Sequence, residues 1–107
     1  MARTVKNVLV RITVATAGDA QPISAIPLFV SDFEFQPDVA NTGTNMYIGD
    51  VNVDNTYISR TKGSITNVTS GNGHAYNDPM MDLSKWYVDG DSDGDVGIVQ
   101  YKVLTED

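Results

Sequence analysis

The residue types best suited to chemistry are concentrated in one stretch, Trp86-Tyr87-Val88-Asp89-Gly90-Asp91-Ser92-Asp93-Gly94-Asp95. Asp89, Asp91 and Asp93, followed by Gly94, match the first half of a calcium loop: alternate carboxylates converge on a hard cation and the glycine permits a sharp turn. The second half does not match. The last ligand position of such a loop falls on Gln100 instead of a bidentate Glu, and the residues after Gly94 alternate like a strand where an exiting helix would begin. Asp89, Asp91 and Asp93 therefore stand as a calcium candidate outside the EF-hand pattern, weighed against a solvated Asp/Gly hairpin turn whose acids face water. The hairpin is the favoured expectation, so no metal site and no cofactor is assigned.

Other groups carry less. Asp32, Glu34, Asp50 and Asp54 could in principle pair for glycoside hydrolysis, which needs two acids about 5–10 Å apart beside a cleft, but nothing in their spacing requires it. His74 is the sole histidine, which rules out a multi-histidine metal site within one chain, and it lies in a Gly/Asn-rich segment ill suited to a triad. The absence of Cys closes thiol catalysis, disulfides and Cys-ligated metals. Trp86, Tyr87 and Tyr76 suggest an aromatic platform for sugars, although Trp86 and Tyr87 alternate faces of one strand, which sends one of them to the core. No catalytic residue is identified.

The elements that must position these groups are strands. Val8, Val10, Ile12 and Val14 recur at period two within Val5 to Thr16. From Leu28 to Gln36 the alternation predicts Phe29, Ser31, Phe33 and Phe35 on the inward face. Short strands follow at Asn45–Ile48, Thr56–Arg60, Ser64–Val68 and Lys85–Val88, and Val96–Leu104 closes the chain with Val99, Tyr101 and Val103 inward. Met80 to Leu83 reads as a brief turn, and Thr69 to Pro79 as a long exposed loop. Tyr47-Ile48-Gly49-Asp50 is echoed by Tyr87-Val88-Asp89-Gly90, which common hairpin grammar explains. No apolar stripe persists at helical spacing. The fold class expected is all-β, an antiparallel β-sandwich or small barrel of jelly-roll-like type.

With 107 residues, the chain fits a single domain, 1–107, with residues 1–6 as an N-terminal arm. No window approaches the roughly 20 apolar residues of a membrane helix, and Lys6, Asn7 and Arg11 interrupt the first apolar run too often for a signal peptide. A net charge of −7 opposes phosphate backbones, so neither nucleic acid nor membrane is an expected partner. A core this small gains from oligomerisation or docking.

Five segments in order, Asn41-Thr42-Gly43, Tyr47-Ile48-Gly49-Asp50, Lys62-Gly63-Ser64-Ile65, Asp82-Leu83-Ser84-Lys85-Trp86-Tyr87-Val88 and Gly94-Asp95-Val96-Gly97-Ile98-Val99-Gln100-Tyr101, resemble small bacteriophage virion structural proteins of the capsid decoration or cement type. The chain departs from that pattern in Thr69 to Pro79 and in its extra acids from Asp89 to Asp95. The resemblance implies a non-enzymatic β-sandwich in the virion, made in the host cytoplasm, with the major capsid protein or other virion proteins as partners and a homo-oligomer, by analogy a trimer. The alternatives are a tail- or fibre-associated module and a receptor- or carbohydrate-binding module using the Thr69 to Pro79 loop with His74 and Tyr76.

Overall fold

A computed structural model of the chain describes residues 3–69 and 81–106, which are all-β and antiparallel, with no α-helix among them. The strands in chain order are β1 (Arg3–Val14), β2 (Gln21–Pro22), β3 (Phe29–Val30), β4 (Asp32–Pro37), β5 (Asn45–Gly49), β6 (Ser59–Thr61), β7 (Thr66–Thr69), β8 (Met81–Asp82), β9 (Tyr87–Gly90) and β10 (Asp95–Glu106). They assemble into two four-stranded sheets in a sandwich-like arrangement, one ordered β1-β10-β4-β7 and the other β2-β9-β5-β6, with β3 and β8 forming a small ladder beside them. The turn expected over Met80 to Leu83 is displaced: Met81–Asp82 is strand β8, and a single 3₁₀ turn, capped by the Asp82 side chain, follows at Leu83–Lys85. His74, Tyr76 and nearly all of the Thr69 to Pro79 segment lie outside the described residues.

Alternation decides which side chains meet. Val14, Phe33, Phe35, Val99 and Tyr101 turn inward from the first sheet to face Met46 and Val88 of the second, and Ile23, Val30 and Leu83 join the same core. Complete burial of a side chain of this size contributes about 1.5–3 kcal/mol. Leu9, between the inward valines of β1, is 59% exposed.

One expectation fails on phase. Phe29 is 57% exposed and Val30 is buried at 2%, because the chain bends at Ser31 between β3 and β4 and the alternation restarts there. A period-two pattern survives only along an uninterrupted strand. The Tyr47 and Tyr87 echo also takes on a physical meaning, since Tyr47, Ile48 and Gly49 lie opposite Asp89, Val88 and Tyr87 in the β5–β9 ladder.

The β1–β10 pair runs without interruption from Arg3 opposite Glu106 to Val14 opposite Asp95. β4 covers β10 only from Gly97 to Tyr101. Past that point β1 and β10 continue as a two-stranded ribbon. At about 3.4 Å per residue a strand of this length spans ~40 Å, which accounts for the longest dimension of the molecule, 46 Å against 25 and 24 Å for the others.

Gly97 sits beneath the fully buried Phe35 ring, where an added Cβ would lie 2.7 Å from Phe35 Cε1. Gly97→Ala is therefore expected to cost about 1–3 kcal/mol through overpacking, read as a lower urea midpoint with an unchanged slope. A midpoint equal to that of the parent protein would show that the Phe35 ring can move aside.

Candidate functional site

The acidic run at the β9–β10 turn is built as a set of backbone staples. Asp89 Oδ1 accepts hydrogen bonds from the amides of Gly18 (3.0 Å) and Gly90 (2.8 Å). Asp91 Oδ2 accepts from the Asn45 amide (3.2 Å), while its Oδ1 accepts from the Tyr47 hydroxyl. Asp93 Oδ1 takes the Ala17 amide at 2.8 Å. Asp95 accepts from Gly43 (3.2 Å) and Ser92 (3.1 Å).

Asp89 and Asp95 are only 3% and 1% exposed, so the expectation that the acids of this run face water fails for these two. Buried carboxylates need donors, and the amides of two other turns supply them. The three calcium candidates are thus engaged with separate partners, Asp89 and Asp93 with the β1–β2 turn and Asp91 with β5. Among the described residues no group of three or more acidic or histidine side chains is gathered to hold a metal ion.

The remaining acids are also engaged locally. Asp50 Oδ1 accepts from the Asn52 amide (2.9 Å) and the Tyr57 hydroxyl (2.7 Å), and Asp54 Oδ1 accepts from the Thr56 amide (2.9 Å). The hydrogen bond from Tyr57, with that from Asn52, holds the Asp50 carboxyl below its ordinary pKa, and the same bond raises that of Tyr57. Asp32 and Glu34 stand on the outer face of β4, beside a shallow hollow of about 320 Å³ that also includes Asn7, Asn67, Gln100 and Lys102.

A second concave region joins residues distant in sequence. β6 and β7 are the edge strands of the two sheets, and the groove between them is lined by Ile48, Ile58, Arg60, Val68 and Trp86. Tyr57 and Trp86 are shared with an adjoining hollow reaching Gly49, Asp50 and Lys85; the two measure about 360 and 390 Å³. Tyr57 is fixed on two sides. Its ring packs against Gly49, where a Cβ would come within 2.7 Å of Cδ2 and Cε2, and its hydroxyl is held by Asp50. Trp86 is braced edge-on by Phe33, with centroids 5.5 Å apart and planes at 78°. Of the proposed aromatic platform, Trp86 is present in a groove, but its neighbour there is Tyr57, which sequence reasoning missed. The one available signal was Gly49, whose bare backbone accommodates that ring.

Fold and surface define an antiparallel, sandwich-like β-module with one end laced by carboxylates and an aromatic groove along one side. Compared with protein-family models, with curated proteins and with solved structures, the chain gives no match.

Thermal melts separate a staple from a cation site. Asp95→Ala orphans two amides at a buried position and is expected to cost about 3 kcal/mol, whereas Asp93→Ala, at an exposed position, is expected to cost less than about 1 kcal/mol. Calcium is expected to leave the parent melting temperature unchanged; a rise that disappears in Asp93→Ala would mean that the acids regroup around the ion.

Tyr47 gives a pH test. Its hydroxyl bond to Asp91, aided by burial, pushes its pKa up to about 12. A raised tyrosine pKa gives stability that is full below the unfolded value of about 10 and is lost as pH climbs through 12. Besides Tyr57, whose pKa is also raised, an absorbance titration should show a later-ionising tyrosine that vanishes in Tyr47→Phe. Its persistence in that variant would reassign it.

Proposed function

We propose that the chain is a non-enzymatic structural protein of a bacteriophage virion, a decoration or cement subunit that binds the major capsid protein or another virion protein and stabilises the head lattice. The observation that carries this reading is the order of the strands. With β3 and β8 set aside, eight strands remain; counted along the chain they run first, eighth, third, sixth in one sheet and second, seventh, fourth, fifth in the other. That order supports a jelly-roll connectivity, an architecture recurrent in viral capsid and lectin domains. The step from architecture to role is analogy, and the ordered segments that resemble decoration proteins supply its second support.

The mechanism is linkage: a subunit that binds only the assembled shell stabilises the shell by mass action. The open edge of β1 offers a route to attachment through main-chain hydrogen bonds. Assembly on a symmetric lattice goes with a homo-oligomer, for which a trimer is proposed. A carbohydrate- or receptor-binding role is the second reading, favoured by the amide- and carboxylate-lined hollow around Asn7, Glu34, Asn67 and Gln100.

Cosedimentation of the purified chain with phage heads lacking it tests the first reading. Saturable binding that raises the temperature of head disruption is expected, and removal of residues 2–6 combined with Leu9→Lys should weaken it at least about tenfold. Full binding by that variant would discard β1 as the attachment edge. No binding to heads, with saturable binding on a glycan array, would replace the decoration role by the second reading.

A further inference from the structure

The groove between β6 and β7 presents features that neither core packing nor the carboxylate staples require. β7 ends the first sheet and β6 ends the second, so each leaves alternate backbone N–H and C=O groups without a strand partner among the described residues. Natural edges are commonly blunted by Lys, Pro or bulges. β7, Thr66-Asn67-Val68-Thr69, carries no charge and no proline. Its edge is chemically ready for another strand.

The groove combines apolar and aromatic side chains with the polar residues of β7, Thr66, Asn67 and Thr69. Ile48 and Val68 are half-buried in it, and Ile58 is 74% exposed beside it. Tyr57 and Trp86 are braced from behind, so contact with either ring costs little ordering entropy. The rim carries Arg60 and Lys85, neither of them in an ion pair among the described residues; Lys85 has Asp82 within coulombic reach and shares its hollow with Asp50, whereas the part of the groove that Arg60 lines contains no carboxylate among the described residues. In a chain of net charge −7, a groove whose single charged lining residue among those described is Arg60 departs locally from the overall sign. The rim carboxylate, Asp50, already takes the Tyr57 hydroxyl and the Asn52 amide on one oxygen.

We propose that this groove docks an extended, acidic segment of a partner protein, which adds as a strand to β7, seats an apolar side chain between Tyr57 and Trp86, and places carboxylates against Arg60 and Lys85. The inference rests on the reading of the chain as a docking module, and does not need the virion setting. A saccharide fits less well: Thr66, Asn67 and Thr69 line the groove, but aliphatic Ile48, Ile58 and Val68 offer no hydrogen bonds to a sugar's hydroxyls. Main-chain pairing supplies affinity here, while the aromatic slot and the two cations supply selection.

The test selects binders from a displayed library of random linear peptides on the intact chain, then follows binding by the fluorescence of Trp86, the single tryptophan. Enriched peptides are expected to alternate Asp or Glu with an apolar residue. Their affinity should fall at least about tenfold with Arg60→Glu plus Lys85→Glu, and comparably with Tyr57→Ala, while Tyr57→Phe keeps the ring and most of the binding. Melting temperatures of the variants report whether each is folded, which matters for Lys85→Glu because Lys85 closes the 3₁₀ turn capped by Asp82, and Arg60→Glu alone repeats the charge test away from that turn. A library yielding no acidic consensus, or peptides indifferent to the charge reversal, overturns the proposal. So does a saturable Trp86 response to oligosaccharides that survives the reversal. Peptide binding without head binding would retire the decoration role and leave the groove standing. Head binding undiminished by the reversal, together with no peptide consensus, would do the opposite.

Discussion

The buried carboxylate of Asp95 is the constraint on which the rest of the structure depends. At 1% exposure it must be supplied with donors, and the amides it uses belong to Gly43 and Ser92, on turns that meet only in the folded chain. Close approach dictates the neighbours. A Cβ at Gly43 would lie 2.4 Å from Asp95 Oδ2, and one at Gly90 would lie 3.0 Å from Asp95 Cβ. Beside it, the buried Asn41 side chain accepts from the Val96 amide at 2.8 Å and donates to its carbonyl at 3.0 Å, as a neighbouring strand would. Asn41, Gly43 and Asp95 thus join the link between β4 and β5 to the start of β10. They are among the residues on which the proposed likeness to decoration proteins rests, and their roles here are architectural.

This arrangement gives the molecule two unlike ends. Val14 and Asp95 close the β1–β10 ladder at the laced end, and Arg3 and Glu106 close it at the other, where among the described residues no third strand covers the ribbon. In a chain without cysteine, carboxylate-to-amide bonds fix loops that a secreted domain of this size would commonly fix with disulfides. Their main yield is specificity. A buried charge offsets much of its own desolvation and adds modest net stability, but it penalises any arrangement in which its donors are elsewhere. Three turns are held in register, while among the described residues no strand pairs with the outer edges of β1, β2, β6 and β7.

The sequence shows the strands more clearly than their assembly. The long alternations of Val8 to Val14 and Val99 to Tyr101 are legible because each strand has one face on the core and one toward water. Phe29 misleads because a one-residue bend at Ser31 resets the phase, and a bend leaves no periodic trace. The acidic run misleads for a different reason. Composition assigns Asp to the surface, and only the fold reveals that amides from Gly18, Gly43 and Gly90 converge on Asp89 and Asp95. The groove is least legible of all, since Tyr57, Trp86 and β7 lie on separate stretches of chain and meet through the pairing of sheets.

The two organising features are connected through charge. A net charge of −7 describes the whole chain, yet Asp89, Asp91, Asp93 and Asp95 are engaged by backbone amides at the laced end, and Asp50 and Asp54 by their own turns. The acidity is therefore partly structural, directed into the fold. Screening over about 8 Å at physiological salt makes the local environment, and not the total, decide what a surface attracts. Arg60 consequently acts on a ligand in the groove as a cation with no carboxylate lining beside it among the described residues, while Lys85 at the mouth is shared with Asp50 and Asp82. The total charge still discourages promiscuous association, so a partner must bring both the complementary local charge and an extended backbone to bind there. An open strand edge is a hazard when any chain can pair with it. Here the adjoining apolar slot and Arg60 restrict that pairing to a narrow class of segments.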